Sequence, residues 1–387
     1  MFGQMLEITL MNLRNLPSRL GSSLVIVVGI AGVVGVLVGL LSMSVGFRAA
    51  LESTGQPDRA IVLRDGSNGE MSSGVSIEEF NVLSSMDGVR TASAELYVVA
   101  DVPKKSTGTP ANLVVRGMRA EGLAVRPEIR IVSGRAFDPG KGELLVGIKA
   151  ASEFEGLEVG DDVDFRESRW TVVGHFTAGG SAYESEVWTD LPVAQANFRR
   201  GGFTSSARVL LDDPAEAPAL NERIQADPRL DLALQSESEF YAAQSASRAA
   251  LIDSFGYAVA MIMAIGAVFA ALNTMYTAVS ARTVEIATLR ALGFGNVPVV
   301  VSVMVESLAL ALLGGLAGGL IVYGLFDGYQ ASTLNNASFS QVVFDFAVTP
   351  DLLRLGIFWA LALGAVGGLF PALRAARLPI TIALRGE

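Results

Sequence analysis

The sequence contains no cysteine and a single histidine, His175, among its 387 residues. Without cysteine, the chain has no disulfide framework and no thiolate for catalysis or metal binding. One histidine also argues against a histidine-rich metal site or a histidine proton relay. The 29 lysines and arginines are outnumbered by 39 aspartates and glutamates, a net charge of −10. Because nucleic-acid-binding proteins concentrate Lys and Arg on one face, we expect no nucleic-acid partner.

The sequence also lacks a phosphate-binding loop, since the pattern GxxxxGK[ST] occurs nowhere in it. Gly140-Lys141-Gly142 has neither the upstream glycine nor the following Ser or Thr of that loop, so we interpret it as a turn. No set of residues is spaced like a catalytic pair or triad, and we interpret His175 as a structural imidazole at the end of a strand. We therefore predict no catalytic residue, no metal and no cofactor in this chain.

Long apolar runs are what the sequence has in excess, with 51% hydrophobic residues and a mean hydropathy of +0.44. About 20 apolar residues cross a bilayer, and four runs reach that length. They predict transmembrane helices at residues 20–47, 254–281, 296–326 and 354–374. The first run is longer than the roughly 7–15 apolar residues of a signal peptide, so we expect an uncleaved anchor.

Charges beside the runs predict the orientation. Short flanks rich in arginine lie on the cytoplasmic side of a membrane, and the arginines in question are Arg14, Arg19, Arg282, Arg290, Arg374, Arg377 and Arg385. The loop 327–353 has three aspartates and no Lys or Arg, and segment 48–253 has 21 basic against 32 acidic residues. Both termini are therefore predicted to be cytoplasmic, with 48–253 and 327–353 extracytoplasmic.

Segment 48–253 is long enough for a domain with its own core, and its pattern is mixed. Alternating or β-branched stretches predict strands at 60–63, 113–116, 143–147 and 170–173. Helices are predicted at 76–86, where Ser76 and Glu79 fit a capping box, and at 214–226. The predicted fold class is an α-helical membrane protein with four transmembrane helices and an α+β extracytoplasmic domain inserted between the first and second.

The short connection 282–295 has a helical pattern of its own. Val284, Ile286 or Ala287, Leu289 and Leu292 form one apolar face, while Arg282, Glu285 and Arg290 mark a polar face, and Gly293 suits a C-cap. An exposed helix with an apolar side needs a partner. The alternative is a helix that lies on the membrane surface. Residues 1–19 predict a cytoplasmic interfacial helix, and 375–387 a cytoplasmic tail.

Small and polar residues inside the spans suggest helix packing. Two glycine sets give faces for close helix approach: Gly29, Gly32, Gly35 and Gly39 in the first span, and Gly314, Gly315, Gly318 and Gly319 in the third. Glu306 costs about 2.5–3.5 kcal/mol at the centre of a bilayer, so we expect it to face a partner group or the membrane edge. Asn273 in the second span is interpreted in the same way, and a proton relay is the alternative role for Glu306.

Three stretches resemble the MacB/FtsX-like permeases of the type VII ABC transporters, which include the LolC and LolE type. They are ARTVEIATLRALGFG at 281–295, VMVESLALALLGGLAGG at 303–319 and PALRAARLPITIALRGE at 371–387. Stretches at the start of the chain and in segment 48–253, such as VSGRAFDPGKGELLVGIKAA, follow the family's order as well. The resemblance covers most of the chain.

This resemblance implies a permease dimer, of identical or different copies, bound to two ATPase subunits that hold ATP and Mg. It also implies that the helix after the second span is the coupling helix that contacts the ATPase. The contact residues carried over are Thr283, Glu285, Ile286, Leu289, Arg290, Ala291, Leu292 and Gly293. MacB has an ATPase domain fused before its first span, so the chain is expected to resemble members with a separate ATPase.

The expected role is export, extraction or mechanotransmission across the bacterial inner membrane, in many members with a periplasmic adaptor and an outer-membrane channel. The alternative is a non-transport protein, either an FtsX-like regulator of a cell-wall hydrolase or a membrane signalling receptor. A receptor is disfavoured because the predicted cytoplasmic segments are too short for an output module. Lipoprotein, lipid, peptide and small drug all stay open as substrates.

Overall fold

The computed structural model describes residues 20–166, 168–335 and 339–377. The predicted interfacial helix 1–19 and residues 378–387 of the predicted tail lie outside this range. In chain order the helices are α1 Leu20–Glu52, α2 Ile77–Ser84, α3 Ala120–Ala124, α4 Ile148–Glu153, α5 Leu191–Asn197, α6 Ala217–Ala226, α7 Glu237–Ala281, α8 Thr283–Ala291, α9 Asn296–Phe326 and α10 Pro350–Arg377.

The strands in chain order are β1 Arg59–Arg64, β2 Val75–Ser76, β3 Val89–Pro103, β4 Pro110–Met118, β5 Arg130–Gly134, β6 Glu143–Gly147, β7 Asp162–Phe165, β8 Ser168–Thr177, β9 Glu186–Asp190, β10 Phe203–Thr204, β11 Ser206–Leu211, β12 Leu232–Ser236, β13 Gln330–Asn335 and β14 Ser340–Asp345. The chain divides into two compact units. One comprises Met1–Val45, Ala250–Tyr329 and Phe346–Glu387, and the other comprises Gly46–Ala249 and Gln330–Asp345.

Four helices are long and apolar enough to cross a membrane: α1, α7, α9 and α10. Each of the four predicted spans lies within one of them, which confirms four candidate transmembrane helices. Helix α7 is 45 residues long and α9 is 31 residues long. At 1.5 Å per residue both exceed the roughly 30 Å of a bilayer core.

The third-span glycines are contact points within the helical unit. A Cβ added at Gly314 or Gly318 would lie 2.8 or 2.5 Å from a backbone carbonyl oxygen of α1, that of Val27 or Ala31. A Cβ at Gly315 would lie 2.7 Å from the Cβ of Ala360 on α10. Helix α9 therefore packs closely against α1 at Gly314 and Gly318, and against α10 at Gly315.

The first-span glycines differ from these. Among the described residues, a Cβ at Gly29 or Gly39 would meet no atom within 4 Å, and one at Gly32 or Gly35 would make only ordinary contacts, at 3.8 and 3.6 Å. Four glycines of α10 that no sequence pattern singled out also lie close to neighbouring helices. A Cβ at any of these would lie within 3 Å of a neighbouring side chain: Gly356, Gly364, Gly367 and Gly368.

The second unit is an α+β domain, as predicted. Ten strands form one sheet in the order β12-β1-β11-β3-β4-β9-β6-β8-β5, with β7 paired to β8. Apolar clusters pack against it: one contains Leu113 and Trp170, one contains Val209 and Ile224, and one contains Phe176 and Trp188. The capping box at α2 forms, since the Ser76 hydroxyl accepts from the N–H of Glu79 and the Glu79 carboxylate accepts from the N–H of Ser76.

The segment predicted as a plain loop, 327–353, instead contains a β-hairpin that belongs to the α+β domain. Strands β13 and β14 pair antiparallel from Gln330↔Asp345 to Asn335↔Ser340. The hydroxyls of Ser340 and Tyr97 lie 3.1 Å apart, and the Val343 N–H donates to the Ser185 hydroxyl at 2.9 Å. Its partners lie about 150–240 residues away in the chain, so local sequence pattern does not reveal where it docks.

Candidate functional site

Helix α8, between the second and third spanning helices, is two and a half turns long. It starts after Arg282 and ends at Ala291 with Leu292 as its C-cap, and the N–H of Gly293 donates to the carbonyl of Arg290 at 3.1 Å. Gly293 has a φ of 97°, a left-handed conformation that glycine adopts at helix C-caps without strain. The pattern at 282–295 thus gives a short helix bounded by tight turns on both sides.

The predicted apolar face of α8 is split by the fold. Ile286 and Ala287 are buried, and Ile286 belongs to the apolar cluster that includes Val299 and Val303 of α9. Val284 is 56% exposed and Leu292 is 73% exposed. The prediction of one continuous apolar face is therefore wrong, because half of that face packs within the chain and the other half stays open.

The remaining residues carried over to α8 have intermediate or exposed positions. Glu285, Ala291 and Gly293 are exposed, while Thr283, Leu289 and Arg290 are half-buried. Between α8, the end of α7 and α9 there is a cavity of only ≈ 20 Å³, which is space for about one water molecule. The cavity is therefore too small for an organic ligand.

The prediction that Arg282 marks an exposed polar face of α8 is wrong, because this side chain is buried. Its guanidinium donates two hydrogen bonds to Glu306 of α9, Nη1 to Oε2 at 2.9 Å and Nη2 to Oε1 at 3.1 Å. Both side chains are 6% exposed. A two-point Arg–carboxylate pair fixes orientation as well as charge. Glu306 thus has its partner within the chain, and the pair fastens the start of α8 to α9.

Asn273 stands apart from these contacts. It is exposed on α7, and its backbone carbonyl accepts a hydrogen bond from the Thr277 hydroxyl at 2.9 Å. The structure brings Glu306 next to Arg282, which directly precedes α8, and places Asn273 elsewhere on the helical unit.

A buried charge network in the α+β domain was not anticipated from the sequence. It joins four arginines to four glutamates, and none of these side chains is more than 8% exposed. The members are Arg59, Arg116, Arg126, Arg208, Glu70, Glu95, Glu186 and Glu237. An arginine inside an apolar strand-like run, such as Arg116 in 110–118, was the available sequence signal for this network. A charge buried in such a strand requires a partner of opposite charge.

Arg116 is at the centre of the network. Its guanidinium donates to Glu186 at 2.7 Å twice, to Glu70 at 2.7 Å and to Glu95 at 2.9 Å. Burial by itself would raise the pKa of Glu70, but the charges of Arg116 and Arg208 outweigh it and lower that pKa to about 2. Burial opposes the arginines at Glu95 as well, and its pKa is also lowered, chiefly by Arg126.

Glu237, the first residue of α7, connects this helix to the charge network. Its carboxylate accepts from Arg59 Nε at 2.8 Å, Arg208 Nη1 at 3.0 Å and the Tyr183 hydroxyl at 2.8 Å. A carboxylate in the first turn of a helix also interacts favourably with the helix dipole. The start of the longest helix is therefore held to two strands of the domain, β1 and β11.

No metal-binding cluster of three or more His, Cys, Asp or Glu residues occurs within the described part of the chain. The one histidine, His175, lies in β8, and its Nε2 is 2.7 Å from the carbonyl oxygen of Leu157. The Gly140-Lys141-Gly142 stretch forms a turn in which Gly140 has a φ of 77°. These positions agree with structural roles for all of these residues.

Two family profiles match the chain. The MacB-like periplasmic core domain matches residues 23–227, more than half of the sequence, and the FtsX-like permease C-terminal region matches residues 257–380. The chain belongs to the MacB/FtsX-like ABC transporter permeases. This permease is thus a membrane protein with a periplasmic core domain, and helices α8 and α9 with the Arg282–Glu306 pair lie in its FtsX-like region.

Relatives of this permease carry three different names. It is 26% identical to the macrolide export ATP-binding/permease protein MacB of Bdellovibrio bacteriovorus, over 95% of this chain and 59% of that protein. It is 26% identical to the lipoprotein-releasing system transmembrane protein LolC of Neisseria meningitidis serogroup B, over 70% of this chain and 74% of that protein.

The third relative is the cell division protein FtsX of Mycobacterium tuberculosis. It is 28% identical to this permease over 41% of this chain and 54% of that protein. The chain spans about three fifths of the length of the MacB relatives that it matches. The permease family is shared by all of these proteins, while their names point to different cellular roles.

Proposed function

We propose that this permease couples ATP hydrolysis by a separate ATPase to export, extraction or mechanotransmission across the bacterial inner membrane. In this proposal both termini are cytoplasmic, and the α+β domain, inserted between the first and second spanning helices, is extracytoplasmic. The arginine-rich flanks of the apolar runs support this orientation. The proposal assigns the binding of ATP and Mg to the ATPase subunits.

The observation that carries the proposal is the half-open apolar face of α8. Val284 and Leu292 are exposed together with the charged Glu285, on a helix whose other face is packed against α9. An exposed apolar patch rimmed by charge is typical of a protein contact. We propose that residues of α8 and its C-cap, from Thr283 to Gly293, contact the ATPase. Ile286 then acts as the buried support, and Glu285, Ala291 and Leu292 form the contact itself.

The proposed complex contains two ATPase subunits and a second permease copy, identical or different. The side of the first span at Gly29, where an added Cβ would meet no described atom within 4 Å, is the proposed contact with that copy. A periplasmic adaptor and an outer-membrane channel are further proposed partners, by analogy with the family. Membrane lipid surrounds the four spanning helices, and the proposal includes no nucleic acid.

A second candidate function is an FtsX-like regulator of a cell-wall hydrolase. The likeness to a cell division protein over 171 residues favours it. Both candidate functions use an ATPase, so recovery of an ATPase supports ATP-driven coupling but does not distinguish the two functions. They differ in what the α+β domain acts on: a transported or extracted molecule in one case, a hydrolase in the other.

Affinity purification of the tagged full-length protein from gently solubilised membranes tests the proposal. We expect an ABC ATPase to copurify, and Glu285→Lys or Leu292→Asp to reduce its recovery at least about tenfold, because each change places an uncompensated charge in the contact. The matched control is Arg229→Gln at an exposed turn of the domain, which should change nothing. Recovery of no ATPase, or equal recovery with all variants, rejects α8 as the contact.

A further inference from the structure

A cavity of ≈ 430 Å³ lies in the α+β domain, beside the middle of β3. This volume falls in the range of roughly 300–1,000 Å³ that is usual for ligand sites. Three arginines line it, Arg166, Arg199 and Arg200, and no carboxylate lies among the described residues of its lining. Arg166 and Arg200 are exposed, whereas the domain segment 48–253 is acidic overall.

The arginines reach the cavity from two separate loops. Arg166 lies in the turn between β7 and β8, and its guanidinium stacks 5.4 Å from the centre of the Phe198 ring. Arg199 and Arg200 follow α5, where a positive charge also complements the helix C-terminus. That explanation does not account for Arg166. Arg166 and Arg199 both have positive φ angles, 57° and 55°, and such non-glycine conformations often occur at functional positions.

Main-chain groups form the other side of the cavity. Strand β3 pairs with β11 only from Val89 to Glu95, and the chain before β11 then turns away to pair with β2. At this divergence the Tyr97 N–H donates to the Ser205 hydroxyl at 2.9 Å. Val99 lies two residues after Tyr97 in β3. Its N–H and C=O therefore point to the same edge of the strand as those of Tyr97, away from β4. Within the described residues, no hydrogen bond reaches them from that side.

An unpaired stretch of strand edge is a template for another extended chain. The exposed side chains of Met71 and Phe203 at the rim give apolar contacts for a chain lying there. We propose that this cavity binds an extended acidic peptide segment of a partner or cargo protein. The peptide main chain adds to β3 at Val99, and its carboxylates pair with Arg166 and Arg200. This inference rests on the proposed extracytoplasmic placement of the domain, where such a protein would be met.

Peptide binding to the purified full-length protein in nanodiscs tests this proposal. The probe is a blocked five-residue peptide of alternating valine and glutamate with an uncharged fluorophore, and its counterpart has glutamine for glutamate. At low salt we expect the acidic probe to bind at least about tenfold more tightly, because hydrogen bonds between a guanidinium and a carboxylate are stronger than those to a neutral amide. Arg166→Gln and Arg200→Gln should each raise its Kd about tenfold.

Controls make each outcome decisive. Arg169→Gln removes an exposed arginine that pairs with Asp164 outside the cavity, and it should leave the Kd unchanged. N-methylation of the central peptide residue removes the N–H needed for strand addition and should weaken binding. Equal binding of the glutamine peptide, equal competition by inorganic phosphate, or binding only to nanodiscs of anionic lipid overturns the proposal. Because no ATPase is present, these results do not depend on the coupling-helix test.

Discussion

Arg282 and Glu306 form a buried two-point ion pair within the FtsX-like region, although 24 residues separate them in the chain. Arg282 precedes α8 directly, and Glu306 lies on the third spanning helix. The pair therefore connects the proposed coupling helix to α9 directly, in addition to its covalent connection to α7. We expect the two helices to move together. A force applied to α8 is thus expected to reach the third spanning helix through one fixed contact.

Loss of the arginine should destabilise this region strongly. Arg282→Ala leaves the carboxylate of Glu306 buried without a counter-charge, which costs about 3–5 kcal/mol. Thermal unfolding in nanodiscs should show a lower midpoint, and amide hydrogen exchange in α8 should rise. The double variant Arg282→Glu with Glu306→Arg should recover part of the loss.

The matched comparison is Arg354→Ala, which breaks the pair with Asp351 in the same helical unit. Those side chains are 78% and 85% exposed, and an exposed pair contributes about 0–1 kcal/mol. If Arg354→Ala lowers the unfolding midpoint as much as Arg282→Ala does, the Arg282–Glu306 pair does not specifically hold the start of α8 to α9.

Two glycine substitutions should separate contacts within one chain from contacts between copies. Gly318→Ala places a Cβ 2.5 Å from the carbonyl oxygen of Ala31, and such overpacking costs about 1–3 kcal/mol. Gly29→Ala meets no atom within 4 Å and should leave the unfolding midpoint unchanged.

Gly29→Ala should instead weaken association of permease copies, which crosslinking or mass photometry measures. A lower unfolding midpoint without any change in association would contradict the proposal that the first-span glycines face a second copy. Gly318→Ala serves as the converse control in the same experiment.

Acid should destabilise the charge network of the α+β domain. The pKa of Glu70 is about 2 in the fold against an ordinary value of 4.5. A depressed pKa means that the folded state binds this proton less readily than the unfolded state. The resulting stabilisation is fully present above about pH 4.5 and is lost as the pH falls towards 2.

Chemical unfolding of the full-length protein at several pH values measures this slope. Glu70→Gln should be less stable at pH 7, because Arg116 and Arg208 lose a charged acceptor, and should show a shallower decline between pH 4.5 and 2. Glu121→Gln is the exposed control. An unchanged slope in Glu70→Gln would show that other carboxylates dominate the acid response.

Glu237→Gln should loosen the start of α7. The substitution keeps the shape of the side chain but removes the charge that Arg59 and Arg208 share, so we expect a loss of about 3–5 kcal/mol. Hydrogen exchange of the amides in the first turns of α7 reports it. Glu239→Gln, an exposed residue of the same turn, should have no effect, and equal exchange in the two variants would reject the anchoring role.

The predictability of the fold differs between the two units. The four spanning helices and the helix at 282–295 followed from runs of apolar or periodic residues, because hydropathy and helix period are properties of adjacent positions. The capping box at Ser76 and Glu79 followed for the same reason. The β13–β14 hairpin was missed, since its stabilising contacts are with Tyr97 and Ser185, far away in the chain.

The candidate site was only half predictable. The pattern predicted the helix α8, but it placed Arg282 on a polar face, whereas the fold pairs this side chain with Glu306. The split of the apolar face into buried Ile286 and exposed Leu292 depends on where α9 passes, and helix period alone does not specify which side a neighbour takes.

Composition and local spacing were enough to show four apolar runs, an acidic α+β segment, and the lack of cysteine and of a phosphate-binding loop in these 387 residues. Which charges are buried together depends instead on the tertiary structure. The partners in Arg282–Glu306 and in the network around Arg116 come from distant segments, and a buried charge is tolerated only where folding has already delivered its counter-charge.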